Sequence, residues 1–342
     1  MTDLVLHIGP HKTGSTSIQQ TLTQNRKLLQ KHGVLYFADD IRPAECLAAL
    51  YATPQQRAQP ELLRLFGSDP RILEWSKRTW DELENTIAGT SVDLCILSSE
   101  HFFSLKDIPA FVEHLRTIFS QITVIAYARE PAQLYLSNLQ QNIRGGRRLH
   151  KLRTPASYNY PMRRRLSSYV DAVGQENVVV RSFDRANLRN GDVVSDFIAQ
   201  MERFGKHVAV TPTRANEAFS GAVIAWLLTV NETWDRASSL QERATIMRRL
   251  QRSKELAALP PLMLDNPLFV RILRHKARGD LTWLNRKFLS GQVPLPVEDT
   301  PMSPEDIPSD EDLRIAMREW IMSYLTPQSL RLIASEMIAV TP

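Results

Sequence analysis

Five short, nearly uninterrupted apolar runs separated by longer amphipathic stretches set the rhythm of the first two hundred residues. They are Leu4-Val5-Leu6-His7-Ile8, Val34-Leu35-Tyr36-Phe37, Val92 to Leu97, Ile122 to Tyr127, and Asn177 to Val180. Runs of this length without polar alternation read as strands buried on both faces, the pattern of a parallel sheet covered by helices. Between them apolar residues recur at helical spacing. Ile18, Leu22 and Leu29 share one face after the first strand, and residues 39–90 read as mostly helical, with Trp75 and Trp80 expected to pack on the sheet. Breaks fall at Pro54, Pro60 and Gly67-Ser68-Asp69-Pro70. Alternating strands and helices predict an α/β fold built on a doubly wound parallel sheet over residues 1–210.

From Thr211 the strand pattern stops. Phe219, Val223, Trp226, Leu227 and Val230 fall on one helical face, and so do Leu313, Met317, Trp320, Ile321 and Tyr324. Leu330, Ile333, Met337 and Val340 predict a last helix. Between these, Gly291 to Pro308 holds five prolines and reads as an extended surface crossing. Residues 211–342 are therefore expected to form a helical C-terminal cap of the same domain, with a soft boundary near residue 210. The chain shows no internal repeat of fixed period.

The junction of the first strand and first helix carries the chemistry. Gly9 and Gly14 keep the G-x-x-x-x-G spacing of a P-loop, so the sheet is expected to be of P-loop type. A glycine-bearing turn that runs into a helix N-terminus aims backbone N–H groups and the positive dipole end at an anion. Ser15 follows Gly14, where a nucleotide-triphosphatase loop has its lysine, and the lysine stands inside the loop at Lys12. A lysine after the second glycine serves the β- and γ-phosphates beside a magnesium ion, whereas Lys12 is placed over the bond between a cradled phosphate and its cargo. A second anion contact is predicted at Tyr127-Ala128-Arg129-Glu130-Pro131: Arg129 leaves a strand at the ligand-binding edge, Pro131 suits a first helical turn, and Ser137 lies two turns on.

His11-Lys12-Thr13-Gly14-Ser15-Thr16 resembles the 5′-phosphosulfate loop of sulfotransferases that use 3′-phosphoadenosine 5′-phosphosulfate (PAPS). Arg129 with Ser137 resembles their 3′-phosphate motif, although Leu134 stands where related enzymes often carry a second arginine. Asn25-Arg26, Arg181-Ser182-Phe183-Asp184, Asp196-Phe197, Arg214-Ala215-Asn216 and Asn285-Arg286 look like further landmarks of bacterial sulfotransferase-like proteins. The resemblance implies transfer of a sulfonate from PAPS to a hydroxyl, most plausibly of a carbohydrate or small metabolite, leaving PAP and needing no metal. It gives Lys12 the bridging oxygen, the backbone of Thr13 to Thr16 the 5′-phosphate, Arg129 and Ser137 the 3′-phosphate, and Arg214 and Asn216 a closing loop over the nucleotide.

The acceptor hydroxyl needs a base. Glu100 and His101 end the third strand, where alternation would send their side chains to opposite faces. Glu100 is the expected base, His101 the runner-up, and His11 the next candidate.

Composition narrows the alternatives. A net charge of +5 suits polyanionic ligands, but the chain has no nucleic-acid-binding motif, and the basic runs Arg144 to Arg153 and Arg163 to Arg165 read as solvated faces. Cys46 and Cys95 have no metal-ligand spacing and read as free thiols of a reducing compartment. With no apolar run of transmembrane length and the loop beginning at residue 9, a cytoplasmic protein is expected. Oligomeric state is not legible. The rival readings are a P-loop kinase, disfavoured by Ser15 and by Arg129 with Ser137, and a non-catalytic nucleotide-binding protein with a relict loop.

Overall fold

The computed structural model describes residues 2–38, 45–58, 60–213, 219–233 and 240–338. The five predicted strands form one parallel sheet: β1 (Asp3–His7), β2 (Val34–Tyr36), β3 (Leu94–Ser98), β4 (Ile122–Ala128) and β5 (Val178–Ser182), in the order β2-β3-β1-β4-β5. In register, His7 lies beside Ser98 of β3 and Ile125 of β4. The chain leaving β1 travels towards β2, and the chain leaving β4 travels the other way to β5. The switch point of the sheet therefore lies between β1 and β4, and the turns after those two strands open there.

Burial explains why these strands are legible. Every residue of β3 and β4 is buried, so neither strand has a polar face to betray an alternation. Ile18 and Leu22 of the helix Ser15–Gln24 join Val194, Phe197 and Ile198 of the helix Val193–Gln200 in one buried cluster with Val5, Ile96, Ile125 and Tyr127. Each such side chain, fully buried, contributes about 1.5–3 kcal/mol. Asp196, on the second of those helices, receives both Arg181 Nε and Nη2 at 3.0 and 2.7 Å, together with Tyr127 Oη at 3.1 Å. Several family-like landmarks thus have structural work. Arg181 pairs with Asp196, Arg26 donates to the Ala38 carbonyl at 2.8 Å, and Asn285 exchanges two hydrogen bonds with the Leu295 backbone.

The compact units are discontinuous. One comprises residues 1–129, 161–215 and 282–295, and the other residues 130–160, 216–281 and 296–342. The sequence reading has a single boundary, near residue 210. In the second unit, the helix Gly221–Thr233 buries Val223 and Leu227 but leaves Trp226 half-buried, and the helix Asp310–Met322 buries Leu313, Met317 and Ile321. The helix Pro267–Lys287 is not anticipated, although Phe269, Ile272, Leu273 and Ala277 are buried at helical spacing beneath its charges.

Two expectations need correction. The ring contacts of Trp75 and Trp80 are with Phe66, His114, Tyr51 and Phe111, so these tryptophans pack among helices. The basic run is only partly solvated: Arg144 stacks 4.6 Å over Phe219, Arg148 donates to the Asn231 carbonyl, and Arg165 donates to the Leu105 carbonyl. The proline-rich stretch Gly291 to Pro308 runs along the surface as expected, with only Leu295 and Met302 buried. Cys46 and Cys95 are both buried and form no disulfide. Among the described residues, no helix is long and apolar enough to cross a membrane.

Candidate functional site

The site is built on the ends of β1, β3 and β4. Beyond β1 the chain stays clamped on both sides: Ile8 N–H donates to Ile125, Tyr127 N–H donates to Gly9, and Ser99 N–H donates to His7. The chain then turns sharply through Lys12, at φ 66°, and Gly14, at φ 82°, before the helix Ser15–Gln24 begins. Thr13, fully buried, pins the turn by donating Oγ1 to the Pro10 carbonyl at 2.6 Å. Position 14 admits only glycine, for two reasons. Its backbone is left-handed, and a Cβ there would stand 2.5 Å from Val193 Cγ1. Lys12 tolerates the same left-handed region with a full side chain, at a cost of about 1–3 kcal/mol.

That turn fits an anion. Gly14 is the N-cap and supplies no side-chain cap, so the first N–H groups of the helix have no intrahelical partner. Ser15 Oγ is buried and has no hydrogen-bond partner among the described residues. A buried hydroxyl without a partner, beside uncapped N–H groups, is a donor set awaiting an acceptor. Thr16 is exposed at the mouth of the turn.

Arg129 closes β4, where its Nη1 donates to the Lys12 carbonyl at 2.9 Å and its guanidinium lies 5.4 Å from the Phe183 ring. The turns after β1 and β4 are thus bonded to each other. Glu130 caps the helix Pro131–Arg144 through Gln133 N–H and accepts Arg274 Nε at 2.9 Å. Ser137 is half-buried on that helix, in the second unit. Arg214 and Asn216 lie outside the described residues.

Glu100 and His101 are placed differently from the sequence expectation. The strand ends at Ser98, Ser99 caps a short helix Glu100–Ser104, and both residues sit in its first turn. Their side chains therefore follow helical geometry rather than opposite faces of a strand. Glu100 Oε2 bonds His11 Nδ1, and the His11 and His101 rings meet edge to face with centroids 6.1 Å apart. Burial pushes the Glu100 carboxyl up, but the hydrogen bond and charge of His11, with Lys12 and His101, outweigh it and hold the group below the usual carboxylate range. His11, Lys12, Glu100 and His101 thus form one cluster. The pairing of His11 with Glu100 is a feature that sequence reasoning missed, because nothing in one sequence says that β1 and β3 are neighbours.

Behind the cluster, fully buried His7 brings Nδ1 within 2.7 Å of Ser98 Oγ, and Gln19 Nε2 donates to the Ser98 carbonyl at 3.0 Å. Burial lowers the His7 pKa to about 4, against a smaller opposing effect of Glu100. The folded value lies below the ordinary one, so the stabilisation is complete above pH 6.5 and is lost as the pH falls through 4. The loss should approach about 3 kcal/mol. Urea unfolding of wild type and His7→Asn between pH 7 and 4 tests this: the variant should lose the share of the slope due to His7, and an unchanged slope would assign it to another group.

No protein-family model matches this chain, and no curated protein matches it. Among solved structures, a sulfotransferase from Alicyclobacillus acidocaldarius is similar over 66% of this chain and 91% of that chain, at 12% identity and a TM-score of 0.39. So distant a likeness carries no argument about activity.

Proposed function

We propose that this protein is a PAPS-dependent sulfotransferase acting on a hydroxyl acceptor, a carbohydrate or a small metabolite. The observation that carries the reading is the bonded pair of anion-directed turns at the switch point. One is the uncapped turn with Lys12 inside it and the partnerless Ser15 hydroxyl, and the other delivers Arg129 onto the Lys12 carbonyl. Bound PAPS would supply a sulfonate on a good leaving group, a phosphate oxygen. The backbone of Thr13 to Thr16 would hold the 5′-phosphate, and Lys12 would stabilise negative charge growing on the bridging oxygen. Arg129 is assigned to the 3′-phosphate, while Ser137, Arg214 and Asn216 remain candidates from the sequence. The proton of the acceptor falls to the cluster of Glu100, His101 and His11.

Arg129→Ala tests the nucleotide. Binding of PAPS and PAP should weaken by about 10- to 150-fold, equivalent to about 1.5–3 kcal/mol for a charge-assisted contact, with a much smaller loss for adenosine 5′-phosphosulfate, which has no 3′-phosphate. Loosening of the Lys12 turn would weaken all three nucleotides alike. Equal losses by calorimetry would therefore make Arg129 structural and remove the main support for PAPS.

A further inference from the structure

His11 and Glu100 are separated by 89 positions, yet Glu100 Oε2 accepts directly from the His11 ring. The contact exists because β1 and β3 pair in register, so the turns that follow them emerge side by side. A carboxylate can only accept, which places the proton of a neutral His11 on Nδ1 and leaves the Nε2 lone pair on the far side of the ring. Among the described residues nothing bonds Nε2, and the His11 side chain is 48% exposed, so that atom is reachable.

We propose that the base of the sulfonate transfer is His11, acting through Nε2, and that Glu100 is a positioning residue that fixes its tautomer and steadies its protonated form. The proposal rests on the sulfotransferase reading and gives Glu100 a supporting role in place of the base role expected from the sequence. Two observations favour the exchange. Glu100 already spends an oxygen on His11, and its carboxyl is held below the ordinary range, which makes it a weak base. His11 is next to Lys12, so one turn of chain would present both the proton acceptor and the cation. Among the described residues, Glu100 bonds His11 and His101 meets it edge to face, while Lys12 follows it in sequence and acts on Glu100. In the step, the acceptor oxygen forms a bond to sulfur as the bond from sulfur to the 5′-phosphate oxygen breaks. The electron pair of that bond leaves on the phosphate oxygen, and the hydroxyl proton ends on Nε2.

The test combines nitrogen-detected histidine NMR of the free protein with turnover. In the free wild type, neutral His11 should show a protonated Nδ1 and a bare Nε2. E100Q should mix the tautomers, because an amide no longer dictates which ring nitrogen keeps the proton. Turnover of PAPS to PAP, with glucose and with water as acceptors, should fall ~10²–10⁴-fold in H11Q. PAP affinity in H11Q, read by calorimetry, should stay within about threefold. E100Q should lose less turnover than H11Q. A protonated Nε2 in the wild type, an unmixed tautomer in E100Q, or undiminished turnover in H11Q overturns the proposal, as does turnover lost in H101Q but kept in H11Q. A wild type that binds no PAP overturns the sulfotransferase reading itself. Normal PAP binding with a fully active H11Q overturns the base assignment alone.

Discussion

Lys12→Ala is expected to lower sulfonate transfer at least ~10²-fold, the usual loss when one preorganised electrostatic group is removed from a reacting centre. The ammonium would face charge that grows only as the bond to sulfur breaks, so its removal should reduce kcat far more than nucleotide affinity. Position 12 also offers an internal control. Its backbone is left-handed, so alanine inherits the strain of lysine, whereas glycine relieves it. Lys12→Gly should therefore be at least as stable as the wild type and still fail to transfer. Steady-state release of PAP, with melting temperatures of both variants, checks this. Full activity in either variant would remove Lys12 from the mechanism. A loss of transfer in Lys12→Ala that matched a loss of folded protein would assign it to the fold. Because the loop lysine is proposed to stand where a P-loop triphosphatase uses magnesium, chelation should leave the wild-type rate unchanged.

Asp196→Ala should destabilise the first unit by about 3–5 kcal/mol, the scale for stripping one partner from a buried ion pair. Asp196 is 1% exposed and gathers Arg181, the Tyr127 hydroxyl and the Arg189 N–H, so alanine abandons three elements at once. Asp196 raises the Arg181 pKa by hydrogen bonding, against the opposing effect of burial, but a guanidinium is intrinsically always protonated, so Arg181 stays charged when its partner goes. Replacing both residues with apolar ones, Arg181→Met with Asp196→Leu, should recover most of the loss, since the cost lies in the orphaned charge. Urea midpoints of the two variants decide the matter. A single-variant loss below about 1 kcal/mol would show that water or another residue relieves Arg181.

The sheet was legible because parallel strands covered on both faces leave aliphatic runs, and the turn at Gly9 to Gly14 was legible because its glycines and lysine are consecutive in sequence. Local chemistry announces itself locally. What escaped was pairing at a distance. Arg181 and Asp196 read as separate family-like landmarks, and only the packing of the helix Val193–Gln200 on the sheet makes them one ion pair. Glu100 read as a strand end because Ser98-Ser99-Glu100 follows an aliphatic run. The Ser99 hydroxyl accepts the His101 N–H instead and starts a helical turn there. The helix Pro267–Lys287 was hidden by its charges, though Phe269, Ile272, Leu273, Ala277, Leu281 and Leu284 carry its buried stripe.

Arg129 donates to the carbonyl of the residue whose ammonium is proposed to work at the other end of the nucleotide. One hydrogen bond therefore makes the turns after β1 and β4 a single responsive element. A group that draws the guanidinium towards itself also acts on the backbone of Lys12, and a group that steadies Lys12 steadies the guanidinium. Linkage of this kind is reciprocal: whatever factor one end gains from occupation of the other is returned in full. A molecule anionic at both ends orders the element once, whereas fragments carrying one anion each must order it separately. On the proposed function, the pair of turns would select its ligand by length as well as by charge.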